Sequence, residues 1–510
     1  MRVISFYLPQ SHRVKENDNW WGEGFTDWEP TKKCMSQFDG HYQPHIPLGE
    51  NYYDLSHKET MIWQADLMRK YGIDGQAIYH YWFDRDTKIL EKPLEQLLEW
   101  KDVKMPFCIY WANETWKRSW STLRDGASAW MDDGEGNKKS DDGVLLLQQY
   151  GDETEWSYHF AYCLPFFQDQ RYIRIDNKPV FIIYRSSNIP DLRKMTDCWR
   201  RLAVENGLEG LYIIGAYFDG DMAGSGLDAT LIHEPPRSMR SLRERNRSDG
   251  IIRIDYSEIS EYVLDDYSNN SKTYYTSFTG FDDTPRRGKR GIVLEGATPE
   301  KFRVFLGKMM AKNKACGNDI TFINAWNEWG EGMHLEPDEK YGYSFLEAVR
   351  SAKNEYYQYL EIINEKKKTS ERYIVDIDRR YRKFEVYMNY LDKWMMLRER
   401  GRCLSEWFHK NGYKKIGIYG YGIMGRHLKE ELSESGVEVL FLVDLEKERL
   451  VTDVPILLPN DEFPLNDVIV ISAFYFYNEI LCDLNNEFNY VSLETILKEM
   501  TQTDTESLHT

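Results

Sequence analysis

The chain has 510 residues, 42% of them hydrophobic and 29% charged, an ordinary globular composition with room for two or three domains. A net charge of −18 argues against a nucleic-acid partner. Seven cysteines, an odd number with no CxxC spacing, fit free thiols in a reducing compartment better than a disulfide framework or a zinc site. No run approaches the ~18 apolar residues that a membrane span needs, and MRVISFYLPQ reads as a buried strand rather than a leader, so a cytoplasmic location is expected.

Apolar, β-branched or aromatic runs recur along the first two thirds: VISFYLP near Val3, GQAIYHYWF near Gly75, PFCIYWAN near Pro106 and PVFIIYR near Pro179. LYIIGAYF near Leu211, ATLIHEPP near Ala229, YYTSFTGF near Tyr274 and ITFINAWNEW near Ile320 complete the set. Being apolar on both alternating faces, they suit parallel strands covered on both sides. Between them, 58–71, 91–100, 153–167, 191–205 and 299–314 carry apolar residues at helical spacing, with helix starts at Asp191 and Thr298. Eight such strands alternating with helices predict an α/β fold, a closed (β/α)8 TIM barrel over residues 1–350.

Residues 351–412 are dense in charge, with almost no Gly or Pro, and read as a helical linker and a candidate dimer contact. From 413 to 510 a small Rossmann-like domain is expected. It carries Gly420, Gly422 and Gly425 as a GxGxxG turn between strand and helix, and Asp444 ends the next strand where a ribose would be met. A nucleotide or nucleotide-sugar there, and a remnant turn with no ligand, are both open readings.

The most informative segment is ITFINAWNEWGEGMHLEP. Glu328 and Glu331 lie three residues apart on a Gly-containing loop at the end of a strand, where a barrel places its active site. Acid–base work on a glycosidic bond needs two carboxyl groups in different protonation states. Trp326 and Trp329 beside them are candidates for an apolar wall and a sugar platform, and Asn327 for a polar contact. Other strand ends add Tyr79, His80, Tyr81 and Trp82; Trp111, Asn113, Glu114 and Trp116; and His233 with Glu234. His41 and Tyr42 come from an N-terminal loop. Together these form a sugar-binding inventory of aromatics, amides and acids. The histidines lack HxH or HxxxH spacing, so no metal is expected, and the barrel chemistry needs no cofactor. No GxSxG or P-loop occurs.

FYLPQ, NDNWWGEGFTDW, GHYQPHIPLGE, YHYWF, YWANETW, GFDDTPRR and INAWNEWGEGMHLEPD occur in this order. Over about residues 1–350 the chain resembles the WbsX-type glycosyltransferase family, whose barrel is similar to that of glycoside hydrolase family 99, a family of retaining endo-α-mannosidases. The resemblance implies that Glu328 is a base acting on the sugar 2-hydroxyl and Glu331 an acid acting on the leaving oxygen, through a 1,2-anhydro sugar. It also implies an oligosaccharide or polysaccharide substrate, free or lipid-linked, in O-antigen or lipopolysaccharide assembly. Transfer and hydrolysis both remain open, as does a glycan-binding protein without catalysis.

Overall fold

A computed structural model describes residues 1–117, 143–218, 220–242, 250–267, 272–445, 447–450, 452–473 and 488–507, with a few positions between the last two. By its contacts the chain divides into two compact units, 1–369 and 370–510.

The first unit is a closed barrel. Its strands are β1 (Arg2–Tyr7), β2 (Gly75–Asp84), β3 (Phe107–Trp111), β4 (Lys178–Ile183), β5 (Tyr212–Ala216), β6 (Ala229–Ile232), β7 (Thr273–Phe278) and β8 (Ile320–Asn324). All eight pair in parallel with their neighbours, and β1 closes the ring by pairing with both β2 and β8. All eight predicted runs are strands. Nearly every strand residue is buried, because side chains on one face fill the barrel while those on the other meet the helical layer.

The predicted helical periods appear as α1 (Lys58–Tyr71), α2 (Lys92–Glu99), α3 (Glu153–Phe167), α4 (Leu192–Glu205) and, after β7, α5 (Pro299–Ala315). Thr298 caps α5 by accepting a hydrogen bond from Lys301 N, with Pro299 in the first turn, as its sequence predicts. Asp152 caps α3 likewise.

Beyond the barrel strands come α6 (Ser344–Glu355), a 3-10 turn and the 40-residue α7 (Leu360–Glu399). No helix among the described residues is long and apolar enough to cross a membrane. In the second unit, β9 (Lys415–Tyr419), β10 (Glu438–Val443), β11 (Ile456–Leu457), β12 (Val468–Ile471) and β13 (Tyr490–Ser492) form one parallel sheet in the order β11-β10-β9-β12-β13.

Candidate active site

The chain leaves β8 and makes a tight hairpin at the C-terminal mouth of the barrel. Asn327–Glu328 pairs antiparallel with Met333–His334, and a 3-10 turn at Trp329–Glu331 joins them. Gly332 closes the turn at φ +63° with Asp282 packed against it, so a side chain there would be both strained and crowded. Asn327 fixes the hairpin to the end of β1: its Oδ1 accepts from Leu8 N (2.8 Å) and its Nδ2 donates to Leu8 O (2.9 Å).

Glu328 and Glu331 both face Arg286. The guanidinium donates to Glu331 Oε1 at 2.5 Å and to Asp27 Oδ1 at 3.0 Å, and stands 3.5 Å from Glu328 Oε2. Gly330 lets this group lie against the turn; a Cβ there would sit 2.9 Å from Arg286 Nε. Glu328 is 7% exposed, and its Oε2 is buried without a hydrogen bond. Burial and the neighbouring Glu331 charge push the Glu328 carboxyl well above the usual carboxylate range. Burial also raises Glu331, though Arg286 opposes it. The pair therefore holds unequal carboxyl groups, and the better-paired Glu331 is the one that ionises more readily.

The structure places Trp326 and Trp329 differently from a sugar platform. They are 0% and 2% exposed, and both indole N–H groups donate to Glu336, at 2.8 Å each. Tyr53 Oη and Gln64 Nε2 donate to the same carboxylate at 2.7 Å. Four donors make Glu336 an anchor for the hairpin that carries Glu328 and Glu331, although burial pushes its pKa up to about 7. Asp282 is a second anchor. Its backbone N–H donates to Glu331 O (2.7 Å), while its carboxylate accepts from His41 Nε2 (2.7 Å), Gln43 Nε2 (2.7 Å) and Thr284. Gln37 N donates to His41 Nδ1, which assigns the proton to Nε2. His41 thus orients Asp282 rather than facing open space.

The remaining candidates separate by strand parity. Tyr79 and Tyr81 point into the barrel, where burial above all, and Glu328 beside them, raise both phenols. Trp116 packs edge-on against Tyr81 (5.2 Å) and lies beside Trp20. His80, Trp82 and Trp111 lie on the opposite face, against His159 and Tyr162 of α3, and are not brought to the acid pair. His233 lies in the barrel interior, stacked on Phe6 (5.0 Å) and bonded to Tyr110 Oη (2.9 Å); burial lowers its pKa to about 3, so it is neutral. Glu234 accepts from Ser238 N and Oγ, capping the helix Pro236–Leu242.

Glu114 receives Arg185 Nε (2.8 Å), and Asn113 bonds both the N–H and the C=O of Arg185, so these two join the ends of β3 and β4. Tyr42 is half-buried, with its hydroxyl 3.4 Å from Asp338 and Lys340 over its ring. Asp27, Asp282, Arg286 and Glu336 lie within the quoted motifs, but nothing local in the sequence assigns them a role.

In the second unit, Gly420 takes φ +90° after β9 and Gly422 starts the helix Ile423–Leu432. A Cβ at Gly425 would sit 2.1 Å from Gly420 O, so the turn requires glycine there. Asp444 Oδ2 accepts from Tyr421 N at 2.7 Å and so holds the turn.

The model of the family described as glycosyltransferase WbsX matches residues 3–349. The protein WxcX of Xanthomonas campestris pv. campestris, from strain B100 and again from strain ATCC 33913, is 32% identical over 365 residues, covering 69% of this chain and 49% of the relative. The chain thus spans about half the length of the curated relatives it matches. Among solved structures, a GH99 endo-alpha-mannosidase from Bacteroides thetaiotaomicron has a TM-score of 0.44 at 13% identity, over 70% of this chain and 98% of that one. A glycoside hydrolase-like protein has a TM-score of 0.40 at 14% identity, over 69% and 93%. By the match across its barrel, the chain belongs to the WbsX glycosyltransferase family.

Proposed function

We propose that this protein is a carbohydrate-active enzyme acting on glycosidic bonds with retention, as a glycosyltransferase or transglycosylase in cell-surface polysaccharide assembly. One observation carries the reading: Glu328 and Glu331 converge on Arg286 at the barrel mouth, and Glu328 Oε2 is buried without a hydrogen bond. A buried carboxyl oxygen without a hydrogen bond is costly unless a ligand supplies a partner. A sugar 2-hydroxyl is a donor of the right kind. As Glu328 takes its proton, that oxygen attacks the anomeric carbon and forms the 1,2-anhydro sugar. Glu331 gives its proton to the departing oxygen, then takes one from the incoming hydroxyl as that oxygen attacks the anomeric carbon; the C1–O2 bond of the anhydro ring breaks and O2 recovers its proton from Glu328. Tyr79, Tyr81 and Trp116 supply a wall for the sugar. Family membership supports glycosyl transfer, and six free cysteines among the described residues support a reducing, cytoplasmic setting.

An endo-acting hydrolase would use the same first half-reaction and differ only in the acceptor. The test is incubation with α-mannan oligosaccharides and with lipid-linked oligosaccharide, followed by mass spectrometry, with Glu331→Gln as control. Extended or rejoined glycans support transfer, and shortened glycans support hydrolysis. No change with either substrate removes both readings and leaves the glycan-binding one.

For the second unit we propose a Rossmann-like domain that takes a nucleotide or nucleotide-sugar. The parallel order around β9 and the close packing of Gly425 on Gly420 support it. Calorimetric titration with UDP, GDP and NADH tests it, and no heat at millimolar ligand rejects it.

A further inference from the structure

We propose that His80, His159 and Cys163 form a binding site for one thiophilic divalent cation of the Zn2+ type, on the outer wall of the barrel and apart from the acid pair. His80 comes from β2 and points away from the barrel interior. His159 and Cys163 are four residues apart on α3, which places both on one helix face. The ligand atoms of all three lie within 4.8 Å of one another, and all three residues are buried. The two Nε2 atoms face each other at 3.0 Å. Two imidazoles and a thiolate are a donor set that selects a borderline-soft cation over Mg2+ or Ca2+. Sequence spacing hides the set, because its ligands span a strand and a helix 79 residues further on.

Electrostatics and access agree. The two Nε2 atoms share one hydrogen bond, so at least one of the rings is neutral and presents a lone pair to the other. His159 also lines a cavity of about 340 Å³ whose wall includes Trp111, Asp84, Asp86, Glu155 and Arg85. Three carboxylates against one guanidinium make this a route that favours cations. Binding releases one proton: the Cys163 thiol loses it to solvent, and the imidazole carrying the shared Nε2 proton moves to its Nδ1–H tautomer.

The experiment is titration of the chelator-treated full chain with Co2+, read by absorption, with elemental analysis after loading with Zn2+. We expect one equivalent of metal and a sulfur-to-cobalt charge-transfer band. Cys163→Ser should abolish the band and His80→Gln should weaken binding at least tenfold, while Cys198→Ser and Glu331→Gln should leave both unchanged. Circular dichroism checks that each variant is folded. Absence of the band in the wild-type chain would overturn the site and leave His80 and His159 as a hydrogen-bonded pair. So would a band that persists in Cys163→Ser.

Discussion

Arg286 holds Glu331 through a 2.5 Å hydrogen bond from Nη1, and its other terminal nitrogen reaches Asp27 at 3.0 Å and Glu328 at 3.5 Å. One cation thus serves three carboxyl groups, of which Asp27 and Glu328 are buried and Glu331 is partly exposed. Holding these charges together would be prohibitive without it, and the cation sets how the acid pair shares its protons.

Replacement of Arg286 by Met should therefore act on proton affinity as well as on shape. Without the cation both glutamates bind protons more tightly, so the acidic limb of the pH profile of kcat/KM should move upward. Activity at neutral pH should fall by about a hundredfold or more, by analogy with loss of one partner of a buried pair. Arg286→Lys keeps the charge but not the fork, so its limb should shift less. A profile unchanged in Arg286→Met would show that Arg286 does not govern the pair.

Glu336 should matter to turnover although it faces no substrate. Glu336→Gln turns an oxygen that accepts two hydrogen bonds into an amide donor facing donors, whichever way the amide lies. A loss of about 3 kcal/mol in stability is expected, together with a fall in kcat larger than any rise in KM, because the hairpin carrying Glu328 and Glu331 loosens. Thermal unfolding and steady-state kinetics check both effects.

The barrel was largely legible in the sequence, and the face of each strand residue was not. In β2 every position from Gly75 to Phe83 is buried, so no polar–apolar alternation says whether Tyr79 and Tyr81 or His80 and Trp82 look inward. A one-residue change of parity exchanges the two sets. Trp326 and Trp329 are buried against Glu336 for a related reason: this partner is set by a turn whose geometry the local pattern does not encode. The acid pair itself was legible because it combines a strand end, glycines and two carboxyl groups in one short stretch. Asp27 and Arg286 were not, because their meeting joins segments 259 residues apart.

Parity gives a direct test. Trp111→Phe should lower the melting temperature by several degrees, since Trp111 Nε1 donates to Trp82 O inside a packed aromatic cluster, yet leave KM for glycan within about twofold. If Trp116, which packs edge-on against Tyr81, belongs to the proposed sugar wall, Trp116→Ala should raise KM about tenfold or more. The reverse pattern would put the glycan on the wrong side of β2.

The buried acids also fix the pH dependence of folding. Burial raises Glu336 and Glu234 to about 7, and raises Glu328 and Glu331 as well. A carboxyl with a raised folded-state pKa binds its proton more tightly folded than unfolded, so its stabilising effect is complete below the unfolded value of about 4.5 and is lost as pH rises toward 7. Each tenfold gain in proton affinity on folding corresponds to about 1.4 kcal/mol. The melting temperature should therefore fall as pH rises from about 5 to about 8, and Glu328→Gln, which cannot ionise, should show a shallower fall than wild type. A wild-type curve that is flat or rises over this interval would mean that these carboxyl groups are ionised and well paired in the folded protein.

Leaving-group dependence separates the two glutamates. If Glu331 protonates the departing oxygen, Glu331→Gln should lose about a hundredfold or more on a glycan but far less on an aryl glycoside whose phenol leaves as the anion. Glu328→Gln, lacking the base for the 2-hydroxyl, should lose activity on both substrates alike. The comparison has a further edge here, because Glu331 is the better-paired carboxyl and Glu328 holds its proton more tightly in the free protein. With the proposed roles, substrate binding moves a proton from Glu328 toward Glu331 before the sugar 2-oxygen attacks. If the aryl glycoside instead rescues Glu328→Gln and not Glu331→Gln, the roles are exchanged, and the resting arrangement around Arg286 is already the reactive one.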